Sequence, residues 1–376
     1  MAFTRRCISA FERCKSLGFR TPLLAQSPQR RPPSTFSLLA AGMSLTTTLN
    51  ACQASSSEKV ASMEERVQRD EGGRGIKGFC ITGELMAASK ALAEAKSVLI
   101  LTGFPCNMDF EQPQETDGPP GAVAIARACV QFGKQVTIAT DDCNFGVVKA
   151  AVGDDNRDIE VVCFPPGGAW GKREVERAHR IAERTDHIVA IEITPSSSTC
   201  WLASAFPAKG ILEEARRRNV SSTGIGDGGN ELGMGKVIAS GVPNAEVIAC
   251  TVATDHLITC SVSNWGGYAL AGALGVTLRS KAASLPSDRE ETELLERIRQ
   301  VCTFLYFASF SWDGVVNGTD DTVRVACLLY MRFCSLSAGA RDGVSGELGL
   351  SVDGMPLSVQ LSVLRDLREI AEGSLE

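Results

Sequence analysis

Ser97-Val98-Leu99-Ile100-Leu101-Thr102-Gly103-Phe104-Pro105 is a short apolar run that stops at a glycine and a proline. A run of this length bounded by turn residues reads as a strand buried on both faces. The stretch near Gly121–Phe132 has the spacing of a helix, and the alternation then repeats. Gln135–Ala139 reads as strand, Phe145–Val152 as helix, Ile159–Phe164 as strand and Lys172–Arg184 as a surface helix. His187–Ile193, Ser221–Gly226 and Val247–Val252 read as further strands, with a helix at Ile211–Arg218. Such alternation predicts an α/β fold: a mostly parallel open sheet with helices on both faces, in Rossmann-like layers. Ligands of these sheets lie beyond the carboxyl ends of the strands, so the residues just after each strand are the candidates for chemistry.

Composition narrows the function. Hydrophobic residues make up 44% and charged residues 22% of the 376, which excludes a globally disordered chain. Lys and Arg total 38 against 44 Asp and Glu, and a net charge of -6 argues against a nucleic-acid partner. The 14 cysteines show no CxxC pair and no zinc-like histidine spacing, so they read as reduced, buried thiols. Leu257–Leu278 carries no charge, but its first half is broken by Ser261, Ser263, Asn264, Gly266 and Gly267. The apolar remainder, Tyr268–Leu278, suits a buried helix better than a membrane span, and no membrane partner is expected.

Charge is unevenly spread. Residues 1–57 are rich in Arg and Ser, and Glu12 is their one acid, the composition of an organelle transit peptide. Arg5, Arg6 and Arg13 share their stretch with Phe3, Ile8, Phe11 and Leu17, which favours the mitochondrial matrix over a plastid. Residues 58–74 read as a charged linker, leaving 75–376 as the folded domain.

The sharpest motif is Thr223-Gly224-Ile225-Gly226-Asp227-Gly228-Gly229-Asn230-Glu231-Leu232-Gly233-Met234-Gly235-Lys236, read as a strand-to-helix junction. Glycines there let a ligand approach the backbone, and N–H groups at a helix start can hold a carboxylate. Gly224, Gly226 and Gly229 also fit GxGxxG, but Asp227 and Glu231 would repel a pyrophosphate. Asp227 could alternatively be a simple helix cap. Glu115-Thr116-Asp117-Gly118-Pro119-Pro120 forms a braced acidic loop, in which Asp117 is either a ligand or a cap. Asn264 and Gly266 lie in the glycine turn Ser263–Tyr268, placed to bind a carboxylate or amide. Arg341–Glu347 contains Ser345, and Val352-Asp353-Gly354-Met355-Pro356 reads as a hairpin turn. None of His179, His187 and His256 is paired with a convincing nucleophile. A hard cation on Asp227, Glu231 and Glu115 is conceivable, although neither a metal nor another cofactor is expected.

Four segments taken together resemble the C-terminal domain of the D-glutamate cyclase family. They are Thr102–Pro105 with Glu115–Gly121, Gly224–Lys236, Val262–Leu270 and Gly339–Pro356. The resemblance covers roughly residues 75–191, 211–298 and 338–375. It implies an open α/β fold and a mitochondrial lyase that converts D-glutamate to 5-oxo-D-proline and water. Larger relatives carry an N-terminal domain that nothing in this chain resembles. Residues 192–210 and 299–337 depart from the family pattern, as a retained intron, a shifted exon edge or an insertion would make them do. Cyclisation needs a base for the amine, an acid for the departing oxygen and donors for the oxyanion. Asp227, Glu231 and Glu115 are the expected proton-transfer groups. Asp117, Gly226, Gly228, Gly229, Asn230, Asn264, Gly266 and Ser345 are the expected substrate-binding residues. A nucleotide- or small-acid-binding module without turnover and a metal-assisted amide or lactam hydrolase are the alternatives. The oligomeric state stays open.

Overall fold

The computed structural model describes residues 56–106, 113–165, 171–194, 208–237, 249–279, 285–300 and 339–373. Six parallel strands form its sheet: β1 (Ser97–Thr102), β2 (Gln135–Asp141), β3 (Ile159–Phe164), β4 (His187–Ile191), β5 (Ser221–Gly226) and β6 (His256–Thr259). Their order is β3-β2-β1-β4-β5-β6. The first strand explains the layering. Val98 and Ile100 face one apolar cluster while Leu99 and Leu101 face the other, as a period-2 strand requires.

Helices cover both faces. Residues 56–67 are helical (α1). The first face is packed by α1, α2 (Glu84–Glu94), α3 (Pro119–Gln131), α4 (Asp142–Val152), α7 (Ser263–Thr277), α8 (Asp288–Arg299) and α9 (Leu357–Glu372). The second is packed by α5 (Lys172–Glu183) and α6 (Ala208–Arg217). The uncharged run accounts for α7, which is buried from Ser263 to Val276. Its glycines are demanded by close approach. A Cβ on Gly267 would lie 2.7 Å from the Cα of Gly121 in α3, and one on Gly266 would lie 2.6 Å from Ile225 Cγ2.

Three expectations change. Residues 58–74, read as a linker, are built into the domain. Val60, Met63 and Val67 are wholly buried, and Arg66 pairs with Glu71 at 2.8 Å and Asp366 at 2.5 Å. A linker reading missed this because apolar positions at helical spacing are diluted by the charges between them. The strand expected at Val247–Val252 is absent from its described part, and the sixth strand is His256–Thr259. No helix follows Gly226 either: the described residues 227–237 form turns and single bridges from Gly233 and Met234 to Ala253. Residues 1–55 of the expected transit peptide and nearly all of 299–337 lie outside the described residues, as does most of 192–210; Ser56 and Ser57 begin α1. No disulfide joins the described cysteines, and no described helix is long and apolar enough to cross a membrane.

Candidate active site

In the order β3-β2-β1-β4-β5-β6 the topology reverses between β1 and β4, and ligands of such sheets bind in the crevice at the carboxyl ends beside that reversal. Loops from β1, β4 and β5 meet there with residues 339–355. They bring Glu115, Asp117, Glu192, Asp227 and Glu231 together with Asp353, all but shut off from solvent.

Asp117 and Asn264 clasp the mouth of two helices. Asp117 accepts hydrogen bonds from the backbone N–H groups of Ser263 (2.8 Å), Asn264 (2.7 Å) and Gly118 (2.9 Å). Its carboxylate thereby caps the start of α7. Asn264 Oδ1 in turn accepts from Gly118 and Gly121 at 3.0 and 2.9 Å, and its amide donates to the Thr116 carbonyl. Burial and the charge of Asp353 push the Asp117 carboxyl up to about 7, against the pull of those N–H groups. Asn264, expected to bind substrate, has its carbonyl oxygen occupied by the protein's own backbone.

Glu115 lies deeper. One oxygen accepts from the Cys106 thiol at 3.1 Å, and the other is buried without a partner. Desolvation, then the neighbouring Cys106, Asp353 and Asp117, hold this carboxyl well above its ordinary range. Glu192 follows β4 with φ 42, a left-handed backbone uncommon for a residue with a side chain. That turn sends its carboxyl into the crevice, where Ser263 Oγ donates to it at 2.6 Å. Burial and the charges of Glu231, Glu115, Asp117 and Asp353 raise the Glu192 carboxyl well above its ordinary range.

Asp227 and Glu231 belong to one loop and differ in environment. Glu231 accepts from the N–H groups of Asp227 (2.9 Å), Gly228 (2.6 Å) and Gly229 (2.8 Å). The glycine amides expected to hold a substrate carboxylate are thus given to Glu231, which braces the loop from within. They offer no phosphate cradle. Asp227 accepts from Arg74 Nη1 at 3.0 Å, and the same nitrogen donates to Asp353. Burial and the charges of Asp353 and Glu192 nonetheless raise the Asp227 carboxyl well above its ordinary range, outweighing Arg74.

Of the other expected binding residues, Gly226 ends β5 and Asn230 is half-buried beside Gly228. Gly266 packs against Ile225 and Cys260 in the core, and Ser345 is exposed in a loop organised by Asp342. Sequence reasoning missed Arg74, Glu192, Ser263 and Asp353. Arg74 stood in the supposed linker, and Glu192 opened a segment that looked foreign. Asp353 was read as a hairpin turn, which it is: Val352 and Met355 exchange backbone hydrogen bonds around it. Ligand oxygens of Asp117, Asp227 and Asp353 lie within 4.8 Å of one another, as do those of Glu192, Asp227 and Glu231. Either triad has the oxygen chemistry of a hard cation site. Glu115, expected in such a site, belongs to neither.

Fold and site define an open-sheet α/β protein with a buried carboxyl cluster at its switch point. A sequence model of the family described as D-glutamate cyclase-like, C-terminal, matches residues 63–200 and 203–308. A human protein named D-glutamate cyclase, mitochondrial, is 32% identical over 323 residues, covering 80% of this chain and 50% of that relative. The chain belongs to the D-glutamate cyclase-like C-terminal family. It spans about half the length of that curated relative. The matched residues take in Glu192 and most of 192–210.

Proposed function

We propose that this protein is a carbon–oxygen lyase that cyclises D-glutamate to 5-oxo-D-proline and water, in the mitochondrion. The observation that carries this reading is a cluster of buried carboxyls, several raised above their ordinary range by burial and by one another, beside Glu231, which backbone N–H groups hold in place. Such a cluster serves a reaction in which one proton is removed and another delivered. The substrate amine, as neutral NH2, attacks the carbon of the neutral γ-carboxylic acid, forming the C–N bond, and gives up one proton to a carboxylate. A protonated carboxyl then gives its proton to the departing hydroxyl, the C–O bond breaks, and water leaves.

Asp227 is the proposed base, because its carboxyl is paired only with the part-exposed Arg74 among the described side chains, while its companion Glu231 is committed to three backbone N–H groups. Glu192 and Glu115 are the proposed acids, and Ser263 orients Glu192. Mitochondrial placement rests on the relative's name and on the Arg- and Ser-rich residues 1–57. The two carboxylate triads favour a second reading, a metal-assisted amide or lactam hydrolase.

One assay separates the two. The full chain is incubated with D- and L-glutamate, and with 5-oxo-D-proline, with and without a chelator, while primary amine is followed. Loss of amine from D-glutamate supports the cyclase. Amine release from the lactam alone, abolished by chelation, supports the hydrolase and sinks the cyclase reading.

A further inference from the structure

The carboxyl cluster poses an electrostatic problem for a dicarboxylate substrate, and the only described basic side chain paired with it is Arg74. Its guanidinium uses one nitrogen, Nη1, for both Asp227 and Asp353. Among the described residues neither Nη2 nor Nε has a hydrogen-bond partner, and the side chain is 32% exposed. Nη2 lies 3.3 Å from the point where a Cβ on Gly228 would sit, and Asn230 Oδ1 lies 2.8 Å from the same point. Gly228 has no positive φ, so space rather than backbone conformation makes it glycine. The Asn230 side chain makes no hydrogen bond of its own among the described residues. Glu231 Oε1 lies 3.1 Å from that point as well, so the point is crowded, and glycine at 228 is what lets the guanidinium lie this close to the loop.

We infer that Arg74 is the carboxylate-recognition subsite of this cluster and takes the α-carboxylate of the substrate on its Nη2–Nε edge. This rests on the cyclase reading for the identity of the substrate. The guanidinium edge is a planar fork that matches a carboxylate with two parallel hydrogen bonds. The choice of the α-carboxylate follows from the reaction. A guanidinium on the γ-carboxylate would stabilise it as an anion and make its carbon a poor electrophile. The γ-carboxyl has to lose an oxygen with a proton, so it belongs deeper, against Glu192 and Glu115. The part-exposed Arg74 holds the group that stays ionised throughout.

The test is equilibrium calorimetry on the full chain with D-glutamate, its α-amide (D-isoglutamine) and its γ-amide (D-glutamine). Wild type should prefer D-glutamate over the α-amide by roughly 10- to 100-fold, the scale of a hydrogen-bonded charge. Arg74→Gln should remove that preference and leave the discrimination between D-glutamate and the γ-amide unchanged. A merely structural Arg74 would weaken all three alike. A preference for D-glutamate over the α-amide that survives Arg74→Gln overturns the proposal, and so does a loss confined to the γ-amide. Should Arg74→Gln not fold, Arg74→Lys decides, since it keeps a charge for Asp227 and Asp353 but has no fork. A preference reduced by about threefold or more supports the inference, and an unchanged one overturns it. Binding with the expected preference but without turnover removes the cyclase reading and leaves the subsite. Wild type that binds none of the three removes both.

Discussion

Asp227 and Glu231 stand four residues apart in one loop, and their hydrogen bonds assign them different work. Both looked like proton-transfer groups in the sequence, because both follow a strand in a glycine-rich turn. What chain order cannot carry is which backbone amides a carboxylate will find. Glu231 finds three and becomes structural; Asp227 finds Arg74. The cap explanation for Asp227 disappears with the helix it would have capped. Asp227→Asn keeps the size and removes the charge, so turnover of D-glutamate should fall roughly 100-fold or more, the usual scale for an acid–base group. Melting temperature should hold or rise, because the change relieves repulsion from Asp353 and Glu192, the charges that raise the Asp227 carboxyl. Steady-state kinetics beside a thermal melt checks both. Full activity in Asp227→Asn removes this residue from the mechanism.

At the scale of elements, strands and helices were legible wherever one apolar period ran uninterrupted. Ile159–Phe164 and Ser221–Gly226 fall where the sequence puts them, and the uncharged run from Leu257 becomes β6 and the buried α7. The failures have a shared cause. At Val247–Val252 and beyond Gly226, local pattern allowed a strand and a helix, but neighbouring loops supplied the backbone partners instead. Nor could periodicity show how helices meet. Glu291 in α8 is buried against α7, accepts from Tyr268 Oη at 2.6 Å, and has a second oxygen without a partner. Burial pushes its carboxyl up to about 7, against the pull of Tyr268 and Arg127. Because the folded value lies above the ordinary value of 4.5, the native state holds a proton that the unfolded chain releases between those pH values. Stability from this group is therefore present below about pH 4.5 and lost as pH rises through 7, on the order of 3 kcal/mol at most. Glu291→Gln keeps an acceptor for Tyr268 and cannot ionise. Its melting temperature should exceed wild type at pH 8 and match it near pH 4.5; parallel curves across that range would show that Glu291 does not titrate with folding.

At the scale of the whole molecule, the ends of the described chain are tied to each other, and the site depends on the tie. The charge pattern of residues 58–74 hid this, since Glu58–Arg74 looks solvated until the apolar residues are placed on one helical face. Met63 packs against Gly272 of α7, Glu64 accepts from the N–H groups of Gly83 and Leu85 at the start of α2, and the Val67 carbonyl accepts from Ser261. Arg66 and Lys59 reach α9, bonding Asp366 and the Ala371 carbonyl. Arg74 follows directly, so α1 fixes the residue that neutralises Asp227 and Asp353. A chain begun at residue 75 would lose all of this. Exposing Val60, Met63 and Val67 and their partners removes roughly 1.5–3 kcal/mol for each side chain, a large share of the 5–15 kcal/mol typical of a domain. Residues 75–376 should then melt without a cooperative transition and bind a hydrophobic dye, while residues 56–376 should melt cooperatively at the temperature of the full chain. The same pair of chains tests the site. The shorter one lacks Arg74 and should show no preference for D-glutamate over its α-amide even under conditions that restore its helical signal. Equal melting temperatures for the two would mean that α1 only rests on the domain, and that its burial contributes nothing to holding the crevice together.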